Sequence, residues 1–135
     1  MLQAMTDRRA FEPERLIAEY KRRFDAQDID GLRELRAEGC TVADHRGAGA
    51  AGRLPPLLSF DARMELDDLL CCDERTIAML AAVRGTAPES GPFEVAFGAV
   101  DVVEDGRFVR IELFDPDDRD AMLARYRKLV RAPAL

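Results

Sequence analysis

Apolar residues recur at helical spacing near the start of the chain. The segment from Pro13 to Asp25 is predicted to form a helix, because four apolar residues fall on one stripe: Leu16, Ile17, Tyr20 and Phe24. A second, shorter helix is predicted to begin at Asp28, a favourable N-cap residue, and to end at Gly39. Two helices therefore precede the first strand.

The segment Cys40–Arg46 is predicted to form a short strand. Side chains alternate across a strand, so one face would carry Cys40, Val42, Asp44 and Arg46, and the other would carry Thr41, Ala43 and His45. The Gly/Ala-rich stretch 47–52 is predicted to be a loop. The stretch 54–60 is predicted to be a short apolar helix that ends at Phe60.

From Ala62 onward the pattern changes to that of strands. Glu104–Arg107 is a strong hairpin signal, with Gly106 supplying a positive φ, and Asp115–Pro116 is predicted to begin a final helix. The alanine and methionine content of the second of these strands also permits a helix there. The predicted strands cover residues 62–72, 76–86, 93–103 and 108–114.

This order of elements predicts an α+β fold in which helices pack against a curved antiparallel sheet. The 135 residues suit a single domain, 1–135, with one core. Hydrophobic residues make up 47% and charged residues 34%, a balance typical of globular rather than disordered chains.

Charge and composition exclude several classes of function. The net charge of −6 argues against a nucleic-acid partner, because neutralising phosphates needs a basic face. The single histidine, His45, argues against a histidine metal site, so neither a metal nor a cofactor is predicted. No apolar run approaches a membrane span and the start lacks the apolar core of a signal peptide. The three cysteines include an adjacent pair, Cys71 and Cys72, and suit a reducing cytoplasm rather than a secreted disulfide framework.

Two passages carry a resemblance to a known superfamily. The first is Phe24–Leu35 followed by Cys40–Asp44: the end of a helix, an Ala-x-Asp-Ile-Asp connection, a leucine-rich helix and a strand ending in Asp. The second is Glu104–Asp118, continuing into Tyr126. Both resemble the nuclear-transport-factor-2-like superfamily, which includes ketosteroid isomerases and SnoaL-like polyketide cyclases, and in particular its actinobacterial members. The resemblance implies a cone-shaped sheet wrapped around the N-terminal helices, an apolar pocket for a small apolar molecule, and a homodimer formed through the outer sheet face.

The resemblance also implies candidate site residues. Ketosteroid isomerases pair a tyrosine on the first helix with an aspartate on the first strand, and Tyr20 and Asp44 match this pair. Asp44 would move a proton beside a carbonyl, and Tyr20 would stabilise the resulting oxyanion. The position of the second acid of those enzymes falls at Phe97 or Gly98, and Asp101 is too close to the hairpin to match it. The resemblance therefore departs from the full donor pair of the isomerases. The predicted pocket-lining residues are Val42, Arg46, Phe24, Phe60, Phe97 and Phe114.

A possible ion pair between Arg46 and Asp44 separates two predicted functions. Arg46 shares the predicted face of Asp44, and an ion pair between them would lower the pKa of the carboxylate and make it a poor base. Without that pair, the chain is predicted to be an acid–base isomerase or cyclase that uses Asp44. With it, a non-catalytic ligand-sensing or dimerisation module related to regulatory proteins is the alternative.

Overall fold

The computed structural model of the protein describes residues 11–47, 61–87 and 91–131. The predicted short helix 54–60 and almost all of the predicted loop 47–52 lie outside these ranges. No helix within the described ranges is long and apolar enough to span a membrane. The elements are α1 (Glu12–Asp25), α2 (Ile29–Glu34), β1 (Arg36–Asp44), β2 (Asp61–Cys72), β3 (Thr76–Ala87), β4 (Gly91–Glu104), β5 (Arg107–Phe114) and α3 (Arg119–Arg131).

The five strands form one sheet in the order β1-β5-β4-β3-β2. The pairs β2–β3, β3–β4 and β4–β5 are antiparallel, as predicted. The prediction is wrong for β1, which pairs with β5 in parallel and makes the sheet mixed. The strands β2, β3 and β4 lie between β1 and β5 in the chain, so no hairpin joins the two and a parallel pairing is allowed. Register shifts in β2 and between β4 and β5 mark bulges, which bend a sheet.

Helices cover both faces of the sheet. We call the face against α1 the inner face and the face against α3 the outer face. The inner core is the larger and includes Leu16, Ile17, Ile77, Val83, Phe97 and Phe108, whereas the outer core includes Ala78, Val100, Phe114 and Met122. The pairing of β3 with strands on both sides excludes the helix that its composition permitted.

Two predicted element boundaries are wrong. Helix α2 ends at Glu34 rather than at Gly39, because the carbonyl of Leu35 accepts a hydrogen bond from the Phe108 amide of β5 at 2.8 Å and the chain turns into β1. Gly39 lies inside β1 with φ +87°, where the register to β5 shifts. Helix α3 begins at Arg119, later than predicted, and the Asp118 carbonyl accepts the first helical hydrogen bond, from the Met122 amide at 3.0 Å.

The β4–β5 hairpin turns through Asp105 and Gly106, as the sequence predicts. Their φ angles are 53° and 76°, so both central residues occupy the left-handed region, as a type I′ turn requires. We expect Gly106→Ala to lower the free energy of unfolding by about 1 kcal/mol, since a Cβ is strained at positive φ. Urea denaturation would measure the loss. Asp105→Asn is the control and should change stability little, because asparagine tolerates this conformation; an equal loss in both variants would contradict this account.

The cysteines are free thiols. Cys72 packs against the inner core and Cys71 against the outer core, as alternation along β2 requires. Burial raises the pKa of Cys72 to about 12, which leaves it protonated and unreactive at neutral pH.

Candidate functional site

A cleft separates α1 from the inner face of the sheet. One part of it, which we call the inner cavity, has a volume of about 80 Å³ and is lined mostly by apolar side chains. A wider part of about 220 Å³ continues toward Glu14 and Lys21 on α1, and the two parts share Ile17, Met64 and Met79. The polar groups of the inner cavity come from three residues: Tyr20, Arg36 and Asp101.

The Asp101 carboxyl group lies in a row of apolar side chains on the inner face of β4. On β4 the inner face is formed by every second residue, and Phe97, Ala99, Asp101 and Val103 follow one another there. Its partners on the neighbouring strands are Ile77 and Ile111. Asp101 is only 4% exposed, and its Oδ1 has no hydrogen-bond partner among the described residues. Burial raises the pKa of Asp101 to about 8, although the nearby Arg36 charge acts in the opposite direction.

Tyr20 enters the cavity from α1. Its ring stacks on Phe24 at a centroid distance of 6.5 Å and meets the Phe108 ring edge-on at 5.9 Å. These contacts fix the ring where α1 crosses the sheet. Burial raises the pKa of Tyr20, against an opposing effect of Arg36, so its hydroxyl is a hydrogen-bond donor at neutral pH.

Arg36 completes the polar end of the cavity. It is the first residue of β1, exposed overall, and its side chain lines the cavity together with Tyr20 and Asp101. In the part of the chain that the structure describes, no carboxylate forms an ion pair with Arg36. Arg36 hydrogen-bonds the Tyr20 side chain and lies near Asp101, and within the described residues no carboxylate ion pair balances its charge.

Asp44 lies at the end of β1 in a two-pronged ion pair. The Arg46 Nε and Nη2 donate to the two Asp44 carboxylate oxygens at 2.9 and 2.7 Å, and the Arg46 backbone amide donates at 3.0 Å. These hydrogen bonds from Arg46 lower the pKa of Asp44, although partial burial opposes them. The described residues that line the inner cavity include neither Asp44 nor Arg46. The pair that would weaken Asp44 as a base is thus present.

The predicted pocket aromatics take different places. Val42 and Phe97 line the inner cavity, and Phe24 lies in the core behind Tyr20. Phe60 lies outside the described residues. Phe114 is not among the described residues that line the inner cavity: its side chain points to the outer face, with its ring 4.8 Å from the His45 ring, because the neighbouring residue Leu113 takes the inner position.

The sequence reasoning missed Asp101 and Arg36. The expectation that Asp101 stands too close to the hairpin is wrong, because the inner cavity extends along β4 to this position. The signal was available in the alternation of β4, which places one carboxylate among inward-facing apolar residues. Arg36 gave no such signal, since the segment before Cys40 was expected to be helical.

A second polar cluster lies on the outer face, under α3. The Glu112 side chain is 2% exposed and accepts hydrogen bonds from Arg125 at 2.8–3.0 Å, from Arg110 at 3.3 Å and from His45 at 3.0 Å. Burial would raise the pKa of Glu112, but these partners outweigh it and hold the pKa below its usual range. The cluster ties β5 to β1 and α3. No group of three metal-ligating side chains occurs within the described residues.

Comparisons with known proteins bear on the fold of this chain. No protein-family model matches the sequence, and no curated protein matches it. Several solved structures, however, are similar to this chain. The chain is similar to IdmH of Streptomyces antibioticus, a proposed polyketide cyclase, with 24% identity, a TM-score of 0.59 and coverage of 84% of this chain and 96% of that one.

Two further solved structures are similar. One is a nuclear-transport-factor-2-like protein of unknown function from Burkholderia pseudomallei, at 17% identity and TM-score 0.58, covering 82% of this chain and 96% of that one. The other is a ketosteroid isomerase-like protein from Catenulispora acidiphila in complex with trimethylamine, at 12% identity and TM-score 0.58, covering 82% and 91%. The chain therefore has the fold of nuclear-transport-factor-2-like and ketosteroid isomerase-like proteins, as the sequence resemblance implied.

Proposed function

We propose that the inner cavity binds a small, mostly apolar molecule through an oxygen atom of that molecule. The observation that carries this proposal is the Asp101 Oδ1, buried at the cavity and without a partner among the described residues. A buried polar atom without a partner costs free energy, and a ligand oxygen would remove that cost. Below pH 8 Asp101 is mostly protonated, so it and Tyr20 both offer hydrogen-bond donors to an acceptor.

A second candidate function is proton transfer of the isomerase or cyclase type. It is favoured by the pKa of Asp101, since a value of about 8 supplies both protonation states near neutral pH. The ionised carboxylate would take a proton from the carbon next to a carbonyl. The electron pair of the broken C–H bond would pass to the carbonyl oxygen, held by Tyr20. Return of the proton to another carbon gives an isomer. In the cyclase type, the carbanion attacks a second carbonyl of the same molecule and closes a ring, and the alkoxide oxygen formed there takes the proton back from Asp101.

Asp44 stays a candidate base in this second function, and we rank it below Asp101. The Arg46 guanidinium lowers the pKa of Asp44 and occupies both of its oxygens. Breaking that pair would be needed before Asp44 could accept a proton. If neither carboxyl moves a proton, the non-catalytic ligand-sensing module is the remaining function.

One ketone probe separates these functions. We expect 2-acetylnaphthalene to bind the wild-type protein saturably, and Asp101→Leu to weaken that binding about tenfold, because the variant loses the buried donor. Fluorescence titration would measure the binding. Asp44→Asn is the matched control and should bind 2-acetylnaphthalene like the wild type. If only Asp44→Asn binds it more weakly, the binding site is at Asp44 and not at Asp101.

Proton transfer has its own readout with the same probe. Exchange of the methyl hydrogens of 2-acetylnaphthalene in D₂O, followed by NMR, should be faster with the wild type than with Asp101→Asn and should rise with pH toward 8. Equal exchange in both proteins would discard the second candidate and leave ligand binding. If 2-acetylnaphthalene does not bind the wild type saturably, the first candidate function, ligand binding, is discarded.

The homodimer and the cytoplasmic location stay predictions. On the outer face of β2–β4, Arg84 donates hydrogen bonds to Glu65, Asp67 and Glu94 at 2.6–3.1 Å. With Arg63, the cross-strand partner of Arg84, this patch has one excess negative charge. A twofold dimer centred there would place this patch against itself, and like charges repel. We therefore propose that a homodimer, if sedimentation equilibrium finds one, is centred away from Arg84.

A further inference from the structure

We propose that the ligand of the inner cavity carries a carboxylate, which sits between Arg36 at the mouth and the Tyr20 and Asp101 side chains inside. This inference rests on the proposed function and names the chemical class of its ligand: a small apolar carboxylic acid. It would distinguish this site from one that only holds a neutral carbonyl compound.

The three polar groups of the inner cavity together carry a positive charge, which comes from Arg36. The described lining contains two ionisable acids and one base near each other, and burial keeps the phenol of Tyr20 and the carboxyl of Asp101 mostly neutral at pH 7. The third polar group is the guanidinium of Arg36. No carboxylate among the described residues forms an ion pair with Arg36. Among the described residues, one positive charge without a carboxylate ion pair therefore lies at the polar end of an apolar cavity.

The number of donors fits a carboxylate better than a single carbonyl oxygen. A neutral carboxyl and a phenol each donate one hydrogen bond, and a guanidinium presents a fork of several. A carboxylate has two oxygens and accepts about four hydrogen bonds. One oxygen can take the Tyr20 and Asp101 donors while the other takes the remaining donors of the Arg36 fork, whereas a lone ketone oxygen cannot engage all three groups.

The rest of the cleft accommodates the apolar body of such an acid. From the polar end, the walls continue through Ile17, Met64 and Met79 into the wider part of about 220 Å³. The methionines are flexible and adapt to the shape of an apolar ligand. The far end carries Glu14 and Lys21, one charge of each sign, so it offers no competing site for an anion of net charge −1.

A matched pair of probes tests the proposal at pH 6.5. 2-Naphthoate and 2-naphthamide have almost the same shape and differ in the charge of the head group. We expect the wild type to bind the carboxylate at least tenfold more tightly than the amide, because charge-assisted hydrogen bonds are about twice as strong as neutral ones. Arg36→Gln should weaken binding of 2-naphthoate about tenfold and change binding of 2-naphthamide less than twofold, whereas Arg36→Lys should retain part of the preference.

Arg33→Gln is the control for removing a positive charge. Arg33 lies on α2 with its side chain 77% exposed, and it is not among the described cavity-lining residues, so the variant should bind both probes like the wild type. Thermal melting of each variant checks that it is folded. Equal affinity of the wild type for both probes, or equal loss in Arg33→Gln and Arg36→Gln, would overturn the carboxylate while leaving the proposed function in place. Binding of neither probe would overturn both.

Discussion

Asp101→Asn is expected to stabilise the protein at alkaline pH, by about 6 kcal/mol at pH 9, and to leave its stability at pH 4 almost unchanged. Asparagine keeps the size of the side chain but cannot ionise. The gain is therefore the free energy that the wild type spends on ionising a carboxyl group that is 4% exposed among apolar neighbours.

The sign follows from the proton balance. An unfolded chain releases the Asp101 proton near pH 3.8, whereas the folded protein holds it until about pH 8. Between these values the folded state binds more protons than the unfolded state, so the wild type loses stability as pH rises. The loss is about 1.4 kcal/mol for each pH unit of the interval and stops above pH 8. Asp101→Asn removes this contribution, so the difference between the two proteins should grow over the same range.

Urea denaturation of both proteins from pH 4 to pH 9 measures this difference. Asp30→Asn is the matched control: the Asp30 side chain is 92% exposed, and the variant should follow the wild-type curve. An NMR titration of the Asp101 carboxyl carbon gives its pKa directly. Parallel stability curves for wild type and Asp101→Asn would show that Asp101 ionises normally in the folded protein.

Glu112→Gln is expected to lower the free energy of unfolding by about 2–3 kcal/mol at pH 7. The Glu112 side chain is 2% exposed and accepts hydrogen bonds from Arg125, Arg110 and His45. Losing one partner of a buried ion pair costs more than forming the pair gains, because the remaining charges stay partly desolvated. The three partners are 31–47% exposed, so water replaces part of the lost interaction and keeps the cost below that of a fully buried pair.

The same substitution should loosen α3, since Arg125 is the contact between that helix and Glu112. We expect hydrogen exchange in α3 to increase more than in α1. Glu104→Gln is the control, because Glu104 forms one ion pair with Arg75 at 2.6 Å and is 37% exposed, and such a pair contributes at most about 1 kcal/mol. If Glu112→Gln and Glu104→Gln cost the same, the buried cluster has no special role in stability.

Local sequence patterns predicted most of the elements correctly. The stripe of Leu16, Ile17 and Phe24 predicted α1 and its buried side, because a helix with one apolar face gains most by burying it. Asp105–Gly106 predicted the hairpin, because its left-handed φ angles suit these residues. Alternation along β1 correctly separated Val42 on the inner face from Ala43 and His45 on the outer face. Each of these features depends on residues close together in the chain.

The candidate site depended on contacts that local patterns do not contain. The sequence placed Tyr20 on the buried stripe of α1, but only the packing of α1 across the sheet brings Tyr20 and Asp101 to one cavity. The parallel pairing of β1 with β5 joins segments about 70 residues apart, and it sets where Arg36 begins its strand. The pairing of Asp44 with Arg46 was open in the sequence as one of two possibilities, and the geometry of the strand end decided it.

The sequence by itself thus determined the α+β fold class, the apolar faces of its main helices and the position of Tyr20. Tertiary structure decided which carboxyl groups are buried, namely those of Asp101 and Glu112. The pKa of an acid depends on burial and on charges from distant segments, so Asp101 became the candidate acid while Asp44 was held as an ion pair.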